Sequence, residues 1–125
     1  MAEWSVEEHK TAGGRSHFAE FVAGLVDAKD IKDAAVLIGI LRALGNRLRE
    51  PRSKSLAGGL FELRGAQIRI YYGFLPGLRA VLIGGYVKKR TDTPKAVIRL
   101  MRTRLKEVQD EYEKSRARTS GKKGR

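Results

Sequence analysis

The chain of 125 residues has no cysteine. A disulfide framework, a thiol nucleophile and a thiolate-rich zinc site are therefore excluded. Only two histidines occur, His9 and His17, and their spacing fits no standard metal-ligand motif. The glycine pairs Gly58-Gly59 and Gly84-Gly85 lack the Gly-Lys-Ser/Thr ending of a phosphate-binding loop. They read as turns or places of close backbone packing. Long apolar runs are missing too. The longest lies near residues 34–41, far short of the roughly 20 needed to cross a bilayer. The acidic start, Met1-Ala2-Glu3-Trp4-Ser5-Val6-Glu7-Glu8, has no basic segment followed by an apolar one. A cytoplasmic chain with no membrane partner, no metal and no cofactor is expected.

Acidic residues are scarce, at 14 against 26 Lys and Arg, which leaves a net charge of +12. Half of that excess lies in residues 114–125, which hold no acid, so the body of the chain is basic as well. Such a charge favours a polyanionic partner: nucleic acid, ribosome or an acidic protein. The plainer alternative is a basic surface that serves only solubility. The hydrophobic fraction of 42% fits one folded domain. Its expected bounds are residues 1–113, followed by a basic, disordered tail over 114–125.

The hydrophobic pattern predicts the order β-α-α-β-β-β-α. Residues 4–10 form a weak first strand. Ser16 caps a short helix with Phe18, Phe21, Val22 and Leu25 on one face. Asp30 caps a second helix, in which Ile31, Ala34, Ile38, Leu41 and Leu48 keep helical spacing. The segment Arg52-Ser53-Lys54-Ser55 is a basic loop. The period then changes to two over residues 60–64, 67–74 and 78–87. Thr93-Pro94 starts a final helix striped by Val97, Leu100, Met101, Leu105, Val108 and Tyr112. A helical hairpin followed by a strand meander indicates an α+β domain with an antiparallel sheet.

A two-residue turn at Gly65-Ala66 would pair Arg64 with Gln67 and Glu62 with Arg69. Glu62, Arg64, Arg69 and Tyr71 then share a solvent face, while Phe61, Leu63, Ile68, Ile70, Tyr72 and Phe74 meet the helices. Two readings stand for that cluster. One is an exposed cross-strand ion pair. The other is a phosphate site, with Arg64 and Arg69 gripping a phosphodiester and Tyr71 stacking on a base. Lys88, Lys89 and Arg90 lie at a strand end and add cations to the same phosphate. Arg47, Arg49, Arg52 and Lys54 form a second basic region suited to the RNA backbone. Arg99, Arg102, Arg104 and Lys106 read as the wet face of the last helix.

One ordered set of motifs points further. Leu44-Gly45, a basic segment containing Pro51, Lys54-Ser55-Leu56, and Gly59-Leu60-Phe61-Glu62-Leu63-Arg64 follow one another. Ile68-Arg69-Ile70-Tyr71-Tyr72, Val81-Leu82-Ile83-Gly84-Gly85-Tyr86-Val87-Lys88-Lys89 and Thr93-Pro94 continue the series. Across about residues 40–105 the chain resembles the phage-derived toxin branch of the RelE/HigB-like superfamily. The resemblance implies a RelE-like fold, with an N-terminal helical hairpin and a C-terminal helix packed on a curved antiparallel sheet. It implies a type II toxin that cleaves mRNA in the ribosomal A site, and a cognate helix-turn-helix antitoxin as partner. In that chemistry the RNA's own 2′-hydroxyl attacks the adjacent phosphate without a metal. By position, Arg64 and Arg69 match the family's sheet arginines, and Lys88 and Lys89 its basic strand end. Glu62 belongs to the branch's own motif, orienting Arg69 or accepting a proton. The alternative function is a non-catalytic nucleic-acid-binding module on the same fold.

Overall fold

The computed structural model describes residues 3–89 and 91–123. The elements in order are β1 (Ser5–Glu8), α1 (His17–Ala23), α2 (Ala28–Leu44), a short 3-10 turn at Gly45–Arg47, β2 (Ser53–Ser55), β3 (Phe61–Arg64), β4 (Ile68–Leu75), β5 (Arg79–Val87) and α3 (Lys95–Lys123). The five strands form one sheet in the order β1-β5-β4-β3-β2. The sheet is mixed rather than antiparallel throughout, because β1 runs parallel to β5. The α1–α2 hairpin carries the chain from β1 at one edge of the sheet to β2 at the other.

Strand alternation divides the core in two. On one face Leu63, Ile68, Ile70, Tyr72, Ala80 and Leu82 pack with Phe18 of α1 and with Ala34, Leu37 and Leu41 of α2. The aromatic rings of Phe61, Tyr72 and Phe74 lie 5.2–5.5 Å apart on this face. On the other face Leu60, Tyr71, Val81 and Ile83 are covered by Met101, Leu105 and Val108 of α3. Each such buried apolar side chain contributes roughly 1.5–3 kcal/mol. The two faces are thus both closed, and the one expected to be wet is partly roofed.

Local chemistry explains most boundaries. Ser16 caps α1 as expected, its hydroxyl accepting from the Ala19 N–H at 3.0 Å. The cap of α2 is Asp27 rather than Asp30. Asp27 accepts from the Lys29 N–H at 2.8 Å, while Asp30 lies buried in the first turn. The polar segment read as a loop contains β2, which pairs with β3 at the sheet edge. The final helix runs past residue 113 to Lys123. Over residues 113–118 this segment holds Glu, Lys, Arg and Ala, good helix formers, and Arg116 pairs with Glu113 at 2.9 Å.

The β3–β4 turn is centred one residue later than expected. Arg64 pairs with Arg69, and Glu62 with Tyr71. The register has slipped by two residues, so every side chain keeps its face. The cause is tertiary: Asp33 of α2 accepts from the Ala66 N–H at 2.8 Å and holds the turn against the helix. Gly65 permits this approach, since a Cβ there would lie 2.2 Å from the Asp33 Oδ2.

Candidate functional site

The register assembles a row of cations across the sheet. The Arg64 N–H bonds the Arg52 carbonyl at 2.8 Å; Arg64 pairs with Arg69, and Arg69 with Tyr86. The next row carries Lys54, Glu62 and Tyr71. One step further along β4 and β5, the Lys88 N–H bonds the Gln67 carbonyl. Alternation from Tyr86 sets the Lys88 side chain on the same face.

The centre of this arrangement is buried. Glu62 is 4% exposed, Arg69 6% and Tyr71 0%. The Tyr71 hydroxyl donates to Glu62 Oε2 at 2.8 Å. Glu62 Oε1 meets the Arg64 Nε at 3.4 Å and the Arg69 Nε at 4.0 Å. Arg69 also donates to the carbonyls of Gly65 and Ile68, at 2.8 and 2.9 Å. Burial, reinforced by the adjacent Glu62 carboxylate, pushes the Tyr71 phenol far above its ordinary range, with hydrogen bonding by Thr93 acting weakly the other way. The phenol is therefore a permanent donor.

These positions correct two expectations. Tyr71 lies beneath α3 and cannot stack on a base. Arg69 does not stand on a wet face; it ties off the β3–β4 turn and balances a buried carboxylate. Arg64 differs from both. Its side chain is 33% exposed, it is held at Nε by Glu62, and its terminal amino groups make no hydrogen bond among the described residues. A second acid, Glu50, stands 4.0 Å from its Nη1. Lys88 is half-buried and Lys89 exposed. Arg90 lies outside the described residues.

The second basic region is at the surface as expected: Arg47, Arg49, Arg52 and Lys54 are all exposed. Arg49 is committed in part, donating to the carbonyls of Asn46 and Leu48. Two arginines of α3 are more than a wet face. Arg102 donates to the carbonyls of Leu56 and Ala57 and pins the loop before β3. Arg104 donates to the Ile83 carbonyl at 3.1 Å. Sequence reasoning also passed over Tyr86, half-buried opposite Arg69; its place two residues before Lys88 was the available signal.

Neither histidine joins this row. His9 is buried and meets Glu111 of α3 at 3.0 Å. Burial lowers the His17 pKa first, and Arg104 and Arg15 lower it further. Among the described residues no group of His, Asp and Glu is placed to hold a metal ion. None of their helices is long and apolar enough to cross a membrane.

A mixed sheet closed by helices on both faces, with a buried Glu–Tyr–Arg network steadying a partly exposed arginine, defines a small basic α+β protein that presents fixed cations on a sheet. Residues 25–106 match the family described as Phage derived protein Gp49-like. The chain belongs to that family, which is the phage-derived branch its motifs resemble. Among solved structures it is similar to a chain of the toxin–antitoxin complex RelBE2 from Mycobacterium tuberculosis, at 22% identity and a TM-score of 0.44. That alignment covers 74% of this chain and 97% of the other. A likeness at that level leaves the chemistry of the site to the residues themselves. Curated proteins include no match.

Proposed function

We propose that the chain is the toxin of a type II toxin–antitoxin pair, acting in the cytoplasm as a ribosome-dependent mRNA endoribonuclease. The observation that carries this reading is Arg64. It is a partly exposed guanidinium whose inner nitrogen is held by a buried carboxylate, and that carboxylate is held in turn by Tyr71. A cation fixed before the reaction stabilises developing charge without reorganising, which makes electrostatic preorganisation effective.

In the proposed step the 2′-oxygen of the mRNA forms a bond to the adjacent phosphorus as the bond to the 5′-oxygen breaks. The 2′-hydroxyl loses its proton and the leaving oxygen gains one. Arg64 and Lys88 stabilise charge on the non-bridging oxygens, with Lys89 adding to the local field. Glu62 orients Arg64, and Arg69 keeps Glu62 and the turn in place. Arg47, Arg49, Arg52 and Lys54 dock on the RNA backbone without reading its sequence. No metal enters this step. The protein partner is a helix-turn-helix antitoxin.

A specific observation favours the second reading, a non-catalytic nucleic-acid-binding module. Glu62 and Arg69 are turned to one another and to the backbone rather than to solvent. Mapping of mRNA 5′ ends after induced expression separates the two. New ends within ribosome-occupied codons support the nuclease, and RNA binding without new ends supports the module.

A further inference from the structure

A groove of about 550 Å³ lies between the loop after α2 and the edge strand β2. That volume falls in the range of small-molecule sites. Its lining includes Asn46, Arg49, Glu50, Ser53, Ser55 and Phe61. The register explains why it is open. Phe61 is paired with Tyr72 on one side and with Ser55 on the other. The Tyr72 ring stacks on it at 5.4 Å, whereas the short serine side chain cannot cover it. Phe61 is left half-buried and gives the groove an aromatic wall. The loop is fixed by its own bonds. The Ser53 N–H donates to the Arg49 carbonyl at 3.2 Å, and the Arg49 guanidinium donates to the carbonyls of Asn46 and Leu48. Two polar groups are left to meet a ligand. The Asn46 side chain is exposed and has no partner among the described residues. Glu50 is 68% exposed, and the Arg64 Nη1 stands 4.0 Å away, a pair worth little in water.

Glu50 is the odd residue of this surface. It is the only acid between Asp33 and Glu62, and Arg47, Arg49, Arg52 and Lys54 flank it. A surface that met phosphates alone would gain nothing from it. A carboxylate accepts hydrogen bonds and donates none, so it suits a ligand that offers N–H groups beside a phosphate. An unpaired RNA base is such a ligand, held by stacking on an aromatic ring and by bonds to its Watson–Crick edge. Guanine is the base whose edge offers two adjacent donors, N1–H and N2–H, next to a carbonyl. Adenine and cytosine set a ring-nitrogen lone pair beside their amino group, and uracil sets its N–H between two carbonyls.

We propose that this groove holds an unpaired guanine base of the RNA, stacked on Phe61, with N1–H and N2–H on Glu50 and O6 accepting from Asn46. The nearness of Glu50 to Arg64 joins the groove to the cation row, so that neighbouring nucleotides place a base in one and a phosphate on the other. The proposal rests on the reading of the chain as an RNA-binding protein and holds for the nuclease and the binding module alike.

The test is the binding of labelled pentanucleotides to the full chain, followed by fluorescence anisotropy at low salt. Each strand is uridine with guanine, adenine, cytosine or uracil at its centre. The guanine strand is expected to bind about tenfold more tightly than the others. Glu50→Gln removes a charge that repels every strand alike, so the ratio between strands is the readout, and it should fall below about twofold. Ser55→Leu fills the groove over Phe61 without touching a charge. It should hold the melting temperature and lose the preference to the same extent. Equal binding of the four strands by wild type, a preference for another base, or a guanine preference that survives either variant would overturn the proposal and leave the RNA reading standing. No binding of any strand would overturn both. mRNA cleavage on ribosomes is measured alongside. Guanine selection by a chain that cleaves nothing supports the site and counts against the nuclease reading alone.

Discussion

Replacing Arg69 by alanine should damage the fold before it damages any chemistry. Arg69 is 6% exposed, lies 4.0 Å from the buried Glu62, and donates to the carbonyls of Gly65 and Ile68. An exposed cross-strand pair would cost only about 0.2–1 kcal/mol on removal. Breaking a buried pair by deleting one partner costs about 3–5 kcal/mol, because the other charge is stranded. Glu62 keeps Arg64 and Tyr71 as neighbours, which sets the expectation at the lower end, about 3 kcal/mol. For a domain of this size each kcal/mol moves the melting temperature by roughly 3–5 °C, so Arg69→Ala should melt about 9–15 °C below wild type. Circular dichroism melts at neutral pH give the number. Arg99→Ala, on the exposed side of α3, should change stability by no more than about 0.5 kcal/mol. If the stranded carboxylate is the cause, adding Glu62→Gln to Arg69→Ala should cost less than the two single changes combined. A drop below about 3 °C for Arg69→Ala, or strict additivity in the double variant, would refute the burial argument.

Other expectations follow from the same geometry. Gly65→Ala puts a methyl 2.2 Å from the Asp33 Oδ2 and should destabilise by about 1–3 kcal/mol, read from urea midpoints. His17 has a pKa below its ordinary 6.5 in the folded chain, through burial first and then Arg104 and Arg15. The unfolded chain therefore binds that proton more readily, and stability should fall as pH drops below 6.5. His17→Asn should flatten that part of the melting profile, and an unchanged slope would count against it. The chain treated with EDTA and then freed of it should still cleave mRNA on ribosomes in their own magnesium; activity lost by that treatment and restored only by a further metal ion would contradict the proposed step.

Much of this architecture was legible in the sequence, and the parts that were not share a cause. Alternation over residues 67–74 assigns every side chain of β4 to its face, and that assignment survives a register slip because the slip is two residues. The slip itself depends on Asp33, which is remote in sequence from the turn it holds. The row of Arg52, Arg64 and Arg69 was visible as residue types, but not its cover. That α3 lays Met101, Leu105 and Val108 over Tyr71 is a matter of which face a helix chooses, and periodicity is silent on that. For the same reason Arg69 and Tyr71 read as solvent-facing. Short polar β2 escaped because Ser53–Ser55 shows no apolar alternation and draws its strand character from pairing with β3. The parallel partnership of β1 with β5 likewise joins Ser5 to Arg79, a pairing that the residues of β1 do not announce.

The proposed nuclease turns on Arg64, which separates function from stability more cleanly than Arg69. Its side chain is 33% exposed, and Glu62 retains Arg69 and Tyr71 when it is removed, so Arg64→Ala should cost about 1–3 kcal/mol of stability. Loss of a preorganised charge donor is typically worth about 10²–10³-fold in rate. The deciding measurement is ribosome-dependent mRNA cleavage by wild type and Arg64→Ala, with melting temperatures taken on the same samples. The account predicts cleavage by wild type and a variant that stays folded but is slower by about 10²–10³-fold. A wild-type chain that leaves mRNA intact, or an Arg64→Ala variant that cleaves at the wild-type rate, would contradict it.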